Sequence, residues 1–193
     1  MPDQPIDPWN VTTDDYPAQG DAAEQLRFML TYAVLAPSGH NTQPWLFRFS
    51  NDSVEIYADR TRALPVVDPD DRELVMSCGT ALFNLRLALR YFGYTDHVEL
   101  RPDPDNPDLL ARIRRSPGSS ATDNEQALFA AIPTRRTNRQ PFAERAVAAA
   151  VLADLQQAAA TEGAWLQIVS DNDTRNALAD LIAEGDRIQG NEP

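Results

Sequence analysis

The segment from Asp71 to Phe92 constrains the fold more than any other part of the sequence. Apolar residues lie on several sides of its helical projection, acidic residues stand at its start, and Gly93 follows its end. Acidic residues favour the first turn of a helix, and glycine commonly ends one. A helix that is apolar nearly all round must be covered on most of its sides. The sequence therefore predicts a single long helix over residues 71–92, buried in the middle of the protein.

Helical and strand patterns on both sides of this segment predict the layers that cover it. Asp21 and Glu24 form a capping box, which predicts a helix that ends before Pro37. Further helices are predicted at residues 127–131, 147–160 and 174–188. Five segments have the pattern of strands: WLFRF, VEIYAD, HVELRPD, LLARIRR and WLQIV. The first two would form a hairpin with its turn at Asn51–Asp52. The predicted fold class is α+β, with a mixed, mainly antiparallel sheet flanked by helices around the long central helix.

Composition excludes several classes of function. The chain has 17 basic and 29 acidic residues and a formal net charge of -12, which disfavours nucleic acid or an anionic membrane surface as a partner. All 17 basic residues are arginine, so a Walker A loop or a lysine Schiff base is impossible. One cysteine and two histidines predict no metal site, and Cys78 is predicted to be a core residue. The absence of a signal peptide and of a long apolar stretch predicts a cytoplasmic protein.

Two polar segments are the candidates for a binding site. The first, APSGHNTQPW at residues 36–45, is too long and too polar for a simple turn between a helix and a strand. The second, RRTNRQPF at residues 135–142, contains three arginines. Arginine binds phosphate oxygens through charge-assisted, often bidentate hydrogen bonds. Arginine clusters are more often solvated surface, however, and Arg114 and Arg115 are interpreted in that way.

An internal similarity predicts two related halves. WLFRFSND at residues 45–52 is echoed by WLQIVSDN at residues 165–172, and each follows an amphipathic helix. Residues 1–20, which contain four prolines, are predicted to form an irregular N-terminal arm.

Both polar segments resemble motifs of the FMN-dependent nitroreductase superfamily. LAPSGHNTQPWLFRF is similar to its A-P-S-x-x-N-x-Q-P-W motif, and RRTNRQPF is similar to its R-R-S-x-R-x-F element. SCGTALFNLRLAL resembles the central helix of a fused branch, in which two halves of a dimer lie on one polypeptide. The resemblance covers most of residues 21–190 and implies a nitroreductase-like fold. It also makes the chain similar to the N-terminal part of such a fused protein. The resemblance thus implies a first half at residues 21–131 and the start of a second, incomplete half at residues 132–193.

The resemblance further implies an FMN site. The residues implied to contact the FMN phosphate and ribityl chain are Arg135, Arg136, Thr137 and Arg139. Those implied to lie against the isoalloxazine are Pro37, Ser38 and Asn41, with Gln43 and Trp45 supporting their loop. No side chain is predicted to be catalytic, because the flavin carries the redox chemistry.

Three functions remain open at this point. One is an oxidoreductase that uses FMN and NAD(P)H to reduce a small nitroaromatic or quinone-like acceptor. The second is a flavin-binding or flavin-storing protein of the same fold, and the third is a structural domain without flavin. The far face of the predicted central helix would be exposed in a single copy of this chain, at Met76, Phe83, Leu87 and Tyr91. We therefore expect a homodimer or a missing C-terminal portion that covers this face.

Overall fold

The computed structural model describes residues 7–50 and 52–190. The chain divides into two compact units, Met1–Thr137 and Asn138–Pro193. The described helices of the first unit are α1 (Ala22–Ala33), α2 (Arg72–Tyr91) and α3 (Asp123–Ala131). Its described strands are β1 (Trp45–Ser50), β2 (Ser53–Ala58), β3 (Tyr94–Leu100) and β4 (Leu109–Pro117). The predicted α+β class, with a sheet and helices arranged around a long helix, is confirmed.

The four described strands form one antiparallel sheet in the order β1-β2-β4-β3. The predicted pairing of the first two strands is therefore confirmed; of the predicted hairpin turn, Asn51 lies outside the described residues. In the register of the sheet, Val54 of β2 and Val98 of β3 both pair with Ile113 of β4. Val54 and Ile113 are almost completely buried, and α2 packs against these strands. The sheet thus supplies one wall of the core.

Helix α2 is the single central helix that the sequence predicts. Its buried residues are Leu74, Ser77, Cys78, Ala81, Asn84, Leu85, Leu87, Ala88 and Leu89. The expected exposure of its far face holds only in part, since Met76 is 59% exposed whereas Leu87 is buried. Helix α3 packs against α2, and the ring of Phe129 stacks on Tyr91 with 4.0 Å between centroids. This contact covers one end of the far face.

Helix α1 begins at the predicted capping box. The side chain of Asp21 accepts a hydrogen bond from the backbone of Glu24, and the carboxylate of Glu24 accepts one from the backbone of Asp21. The helix packs on α2, and Asn84 of α2 donates a hydrogen bond to the carbonyl of Tyr32 over 3.2 Å. The end of α1 is therefore fixed to the central helix, where the polar loop begins.

Arg115 is not the solvated surface residue that the sequence analysis expects. Its side chain is 7% exposed and donates a hydrogen bond to Gln25 over 2.9 Å. Its guanidinium also lies over the ring of Tyr94, 4.4 Å from the ring centroid. Arg114, the next residue on β4, is exposed as expected. The alternation of side chains along a strand turns Arg115 towards the helices and Arg114 towards solvent.

The described part of the second unit contains helices α4 (Ala149–Thr161) and α5 (Asn172–Gln189), close to the predicted bounds. The predicted strand WLQIV is wrong, because residues 164–170 form no strand and Trp165 is 83% exposed. A strand needs a neighbouring strand for its backbone hydrogen bonds, and the described residues of this unit offer only helices. Hydrogen bonds join the segment to α4 instead, since Ala164 donates its N–H to the carbonyl of Ala159 over 2.9 Å and the side chain of Gln156 donates to the carbonyl of Leu166 over 3.2 Å. The division into two related halves at residue 131 stays a prediction.

No helix in residues 7–50 and 52–190 is both long and apolar enough to cross a membrane.

Candidate functional site

The polar loop after α1 folds back on itself. It contains one turn of 3-10 helix at Gly39–Asn41. The hydroxyl of Ser38 accepts a hydrogen bond from the backbone N–H of Gln43 over 3.0 Å, and Thr42 donates its hydroxyl hydrogen to the carbonyl of Gly39 over 2.9 Å. The hydroxyl groups that the sequence places here therefore close the loop into a defined shape.

Three residues of this loop have left-handed backbone conformations. The φ angles are 50° at His40, 57° at Asn41 and 50° at Gln43. A residue other than glycine in this region costs on the order of 1–3 kcal/mol, and such residues cluster at binding sites. The strain therefore supports a binding role for the loop independently of any sequence motif.

Helix α2 holds the loop at three points. Thr80 donates a hydrogen bond to the carbonyl of Pro37 over 2.7 Å, and Ser77 accepts one from the N–H of Gly39 over 3.1 Å. The thiol of Cys78 donates to the carbonyl of Pro44 over 3.2 Å. Sequence reasoning missed Ser77 and Thr80. Their spacing of three residues on an otherwise apolar helix was the available signal, because it places both on one face.

Cys78 is the core residue that the sequence predicts. It is 2% exposed, and burial raises the pKa of its thiol to about 11. The neutral thiol at physiological pH is neither a nucleophile nor a metal ligand.

Arg135 connects the second polar segment with the first. Its Nη2 donates a hydrogen bond to the carbonyl of Leu35 over 3.3 Å, and its Nη1 donates to the hydroxyl of Thr137 over 3.3 Å. Leu35 directly precedes the loop, so the structure brings the beginning of the arginine element to the beginning of the loop. Two of the predicted site residues, Arg135 and Thr137, thus lie together beside this loop.

Arg136 takes a different direction from Arg135. Its Nη1 donates to the carbonyls of Pro133 and Arg135, over 2.9 and 2.7 Å. Its guanidinium lies over the ring of Trp9, 4.3 Å from the ring centroid. Sequence reasoning missed Trp9, and no pattern near residue 9 could have indicated this contact. Arg139, the last arginine of the element, is exposed and belongs to the second unit.

The donors in this region fit an anionic ligand with a polar ring. Asn41 and Gln43 are exposed, with a distance of 3.5 Å between the Nε2 of Gln43 and the Oδ1 of Asn41, and Ser38 and Pro37 are half-buried. Arg135, which contacts the residue directly before the loop, brings a permanent positive charge to a chain that is strongly acidic overall. A phosphate group and a heteroaromatic ring that accepts hydrogen bonds are the chemistry that this donor set matches.

The arrangement therefore defines an α+β protein with a strained polar loop and an adjoining cationic segment.

No family model matches the chain. The chain is 40% identical over 156 residues to a Mycobacterium tuberculosis protein named "Putative NAD(P)H nitroreductase". This alignment covers 81% of this chain and 45% of the relative. A second protein of that organism, "Putative NAD(P)H nitroreductase acg", is 35% identical over 147 residues, or 76% of this chain and 44% of the relative. The chain spans less than half the length of these curated relatives.

A protein of known structure also aligns with part of the chain. The nitroreductase-like protein from Streptococcus mutans aligns with a TM-score of 0.39 and 16% sequence identity, over 52% of this chain and 79% of that one. The homologues named as nitroreductases confirm that the chain resembles nitroreductases, whereas the fused branch and the FMN site stay predictions.

Proposed function

We propose that residues 36–45 and the arginine element at 135–139 form a binding site for FMN. We propose further that the protein is an NAD(P)H-dependent oxidoreductase of nitroreductase type, acting on nitroaromatic or quinone-like acceptors. The observation that carries the proposal is the hydrogen bond from Arg135 to the carbonyl of Leu35, which joins the two segments. The names of the homologous proteins from M. tuberculosis support the class of reaction.

Each predicted residue has a task in this proposal. Arg135, Arg136 and Arg139 would hold the phosphate through charge-assisted hydrogen bonds, with Thr137 as a further donor. Pro37, Ser38, Asn41 and Gln43 would orient the flavin ring, on a loop that Ser77 and Thr80 fix to α2. When bound, FMN supplies the transfer of electrons from the nicotinamide to the acceptor, so the protein contributes position and electrostatics. The rigidity of the loop matters because a pre-ordered site loses less entropy on binding.

A visible spectrum of the purified protein, with and without added FMN, tests the cofactor. We expect flavin absorbance bands that stay with the protein through gel filtration. A protein that remains colourless and does not retain added FMN would refute the proposed site and favour a structural domain.

A second measurement tests the reaction. NADH or NADPH oxidation is followed with the FMN-loaded protein and a nitroaromatic or quinone acceptor, with the protein-free FMN mixture as the control. We expect turnover that depends on both the protein and the acceptor. Retained FMN without turnover would indicate a flavin-binding or flavin-storing protein instead.

We also propose the two-half organisation of the fused branch, with the second half beginning near residue 132. Its support is the common order of an amphipathic helix and a tryptophan-headed segment, at α1 with β1 and at α4 with residues 165–172. The exposed Met76 on α2 supports self-association or a covering partner. Light scattering at micromolar concentration tests this expectation, because a stable monomer of 21.4 kDa would exclude self-association. The cytoplasmic location stays a prediction.

A further inference from the structure

The N-terminal arm, residues 7–20, is fixed to the first unit by its C-terminal portion. The ring of Tyr16 stacks on Phe92 with 4.2 Å between centroids and meets the ring of Phe28 edge-on at 5.6 Å. The side-chain amide of Gln25 donates to the carbonyls of Pro17 and Gly20, each over 3.3 Å. Aromatic pairs of this geometry contribute beyond the apolar area that they bury. The arm is therefore a packed part of the unit.

The start of the arm holds Trp9 in a local turn. The carboxylate of Asp7 accepts hydrogen bonds from the backbone N–H of Trp9 over 3.1 Å and from the side chain of Asn10 over 2.6 Å. Val11 is partly buried against the core. These contacts on both sides of Trp9 restrict where its ring can lie.

The ring of Trp9 lies beneath the guanidinium of Arg136. The distance of 4.3 Å from the guanidinium carbon to the ring centroid is well within the range of a cation–π interaction. The Nη1 of Arg136 is already used by the carbonyls of Pro133 and Arg135. Within residues 7–50 and 52–190, its Nε and Nη2 have no hydrogen-bond partner. The ring of Trp9 and the two hydrogen bonds of Nη1 thus fix the guanidinium on one face and at one nitrogen. The open edge, formed by Nε and Nη2, is left to donate hydrogen bonds.

We propose that Trp9 is a positioning residue of the anion site: its ring holds the guanidinium of Arg136 so that the open edge donates to the phosphate of FMN. This inference rests on the proposed function. Trp9 is 48% exposed and Arg136 is exposed, so the phosphate can reach the open edge. An arginine that is already ordered loses less side-chain entropy when it binds an anion. The N-terminal arm, which no motif marks, thereby belongs to the binding site.

The experiment compares Trp9→Leu and Trp9→Phe with the unaltered protein in titrations with FMN and with riboflavin. Riboflavin has the same ring but lacks the phosphate, so it reports on the rest of the site. We expect Trp9→Leu to weaken FMN binding about two- to fivefold, as an exposed cation–π interaction of roughly 0.5–1 kcal/mol implies. Riboflavin affinity should not change, and Trp9→Phe should retain part of the lost FMN affinity.

A double-mutant cycle with Arg136→Gln tests whether Trp9 acts through Arg136. Once Arg136 is removed, Trp9→Leu should cause no further loss of FMN affinity. Equal weakening of FMN and riboflavin would show a merely structural role, and unchanged or tighter FMN binding would show that the ring does not hold Arg136 for the phosphate. Each of these results overturns the inference and leaves the proposed function in place. An unaltered protein that binds neither flavin overturns the proposed function itself, and the inference with it.

Discussion

The guanidinium of Arg135 donates a hydrogen bond to the carbonyl of Leu35 over 3.3 Å, although the two residues are 100 positions apart in the sequence. Leu35 is buried at the end of α1, immediately before the strained loop, whereas Arg135 follows α3. The contact joins two segments that sequence reasoning singled out separately, for their polarity and for their arginines. It places a permanent positive charge beside the loop and makes the two segments one candidate site.

We predict that Arg135→Gln weakens FMN binding at least about tenfold. A hydrogen bond to a charged group contributes roughly 1.5–3 kcal/mol, and each 1.4 kcal/mol corresponds to about a factor of ten in affinity. The same loss is expected for Arg139→Ala if this residue also reaches the phosphate. Titration of the apoprotein with FMN, followed by quenching of flavin fluorescence, measures both changes.

Arg114→Gln is the matched control for Arg135→Gln, because it removes the same charge from an exposed position on β4. It should leave FMN affinity nearly unchanged. Equal losses in both variants would show that only the general charge of the protein matters and that no specific site exists at Arg135.

The sequence predicted best those parts of the fold that depend on local patterns. The capping box at Asp21 and the apolar sides of α2 can be recognised from neighbouring residues alone, and both helices form as predicted. The WLQIV segment has the composition of a strand, but the described residues of its own unit contain no strand that could pair with it, so its pattern alone could not decide its structure. The sequence did not reveal the burial of Arg115, because this burial depends on which face of β4 packs against the helices.

The candidate site was predictable only in part, for a similar reason. Its two segments are visible in the sequence, because prolines, amides and arginines are concentrated there. The residues that support them are spread over the chain, as Thr80, Ser77 and Trp9 show. The spacing of Ser77 and Thr80 places both on one face of α2, but tertiary packing decides which loop a hydroxyl or a ring contacts.

We predict that Leu85→Asp abolishes cooperative folding. Leu85 is 0% exposed in α2, and an unpaired carboxylate there would lose its hydration without gaining a partner. The cost of several kcal/mol is comparable with the whole stability of a domain of this size. Thermal unfolding followed by circular dichroism, together with the soluble yield, measures the effect.

Met76→Asp is the control, because it introduces the same charge into the same helix at a residue that is 59% exposed, and this variant should fold. Comparable melting of both variants would contradict the central position of α2.

The thiol of Cys78 should be protected in the folded protein. Burial raises its pKa to about 11 and leaves it 2% exposed, so the reactive thiolate is scarce and inaccessible at pH 8. We expect a thiol reagent such as DTNB to label the native protein very slowly and the urea-unfolded protein at once. Because the chain has one cysteine, the released chromophore reports on this residue alone. Fast labelling of the native protein at pH 8 would show that α2 opens readily or that its buried face is accessible.

Asp96 should make stability depend on acid pH. Burial raises the pKa of its carboxyl, but hydrogen bonds from Arg86 and Arg90, over 2.6 and 2.7 Å, outweigh burial and bring the pKa below its ordinary value of 3.8. Because the pKa is lower in the folded state than in the unfolded state, the carboxylate stabilises the fold above pH 3.8. This stabilisation is lost as the pH falls through the folded-state pKa.

We expect Asp96→Asn to lose roughly 2–3 kcal/mol of unfolding free energy at pH 7, less than for a fully buried pair because both arginines are partly exposed. The difference in urea midpoint between this variant and the unaltered protein should shrink below about pH 4. Asp105→Asn, at an exposed residue between β3 and β4, should change the midpoint little at any pH. A difference between Asp96→Asn and the unaltered protein that stays constant from pH 7 to pH 3 would show that the carboxylate charge of Asp96 does not stabilise the fold.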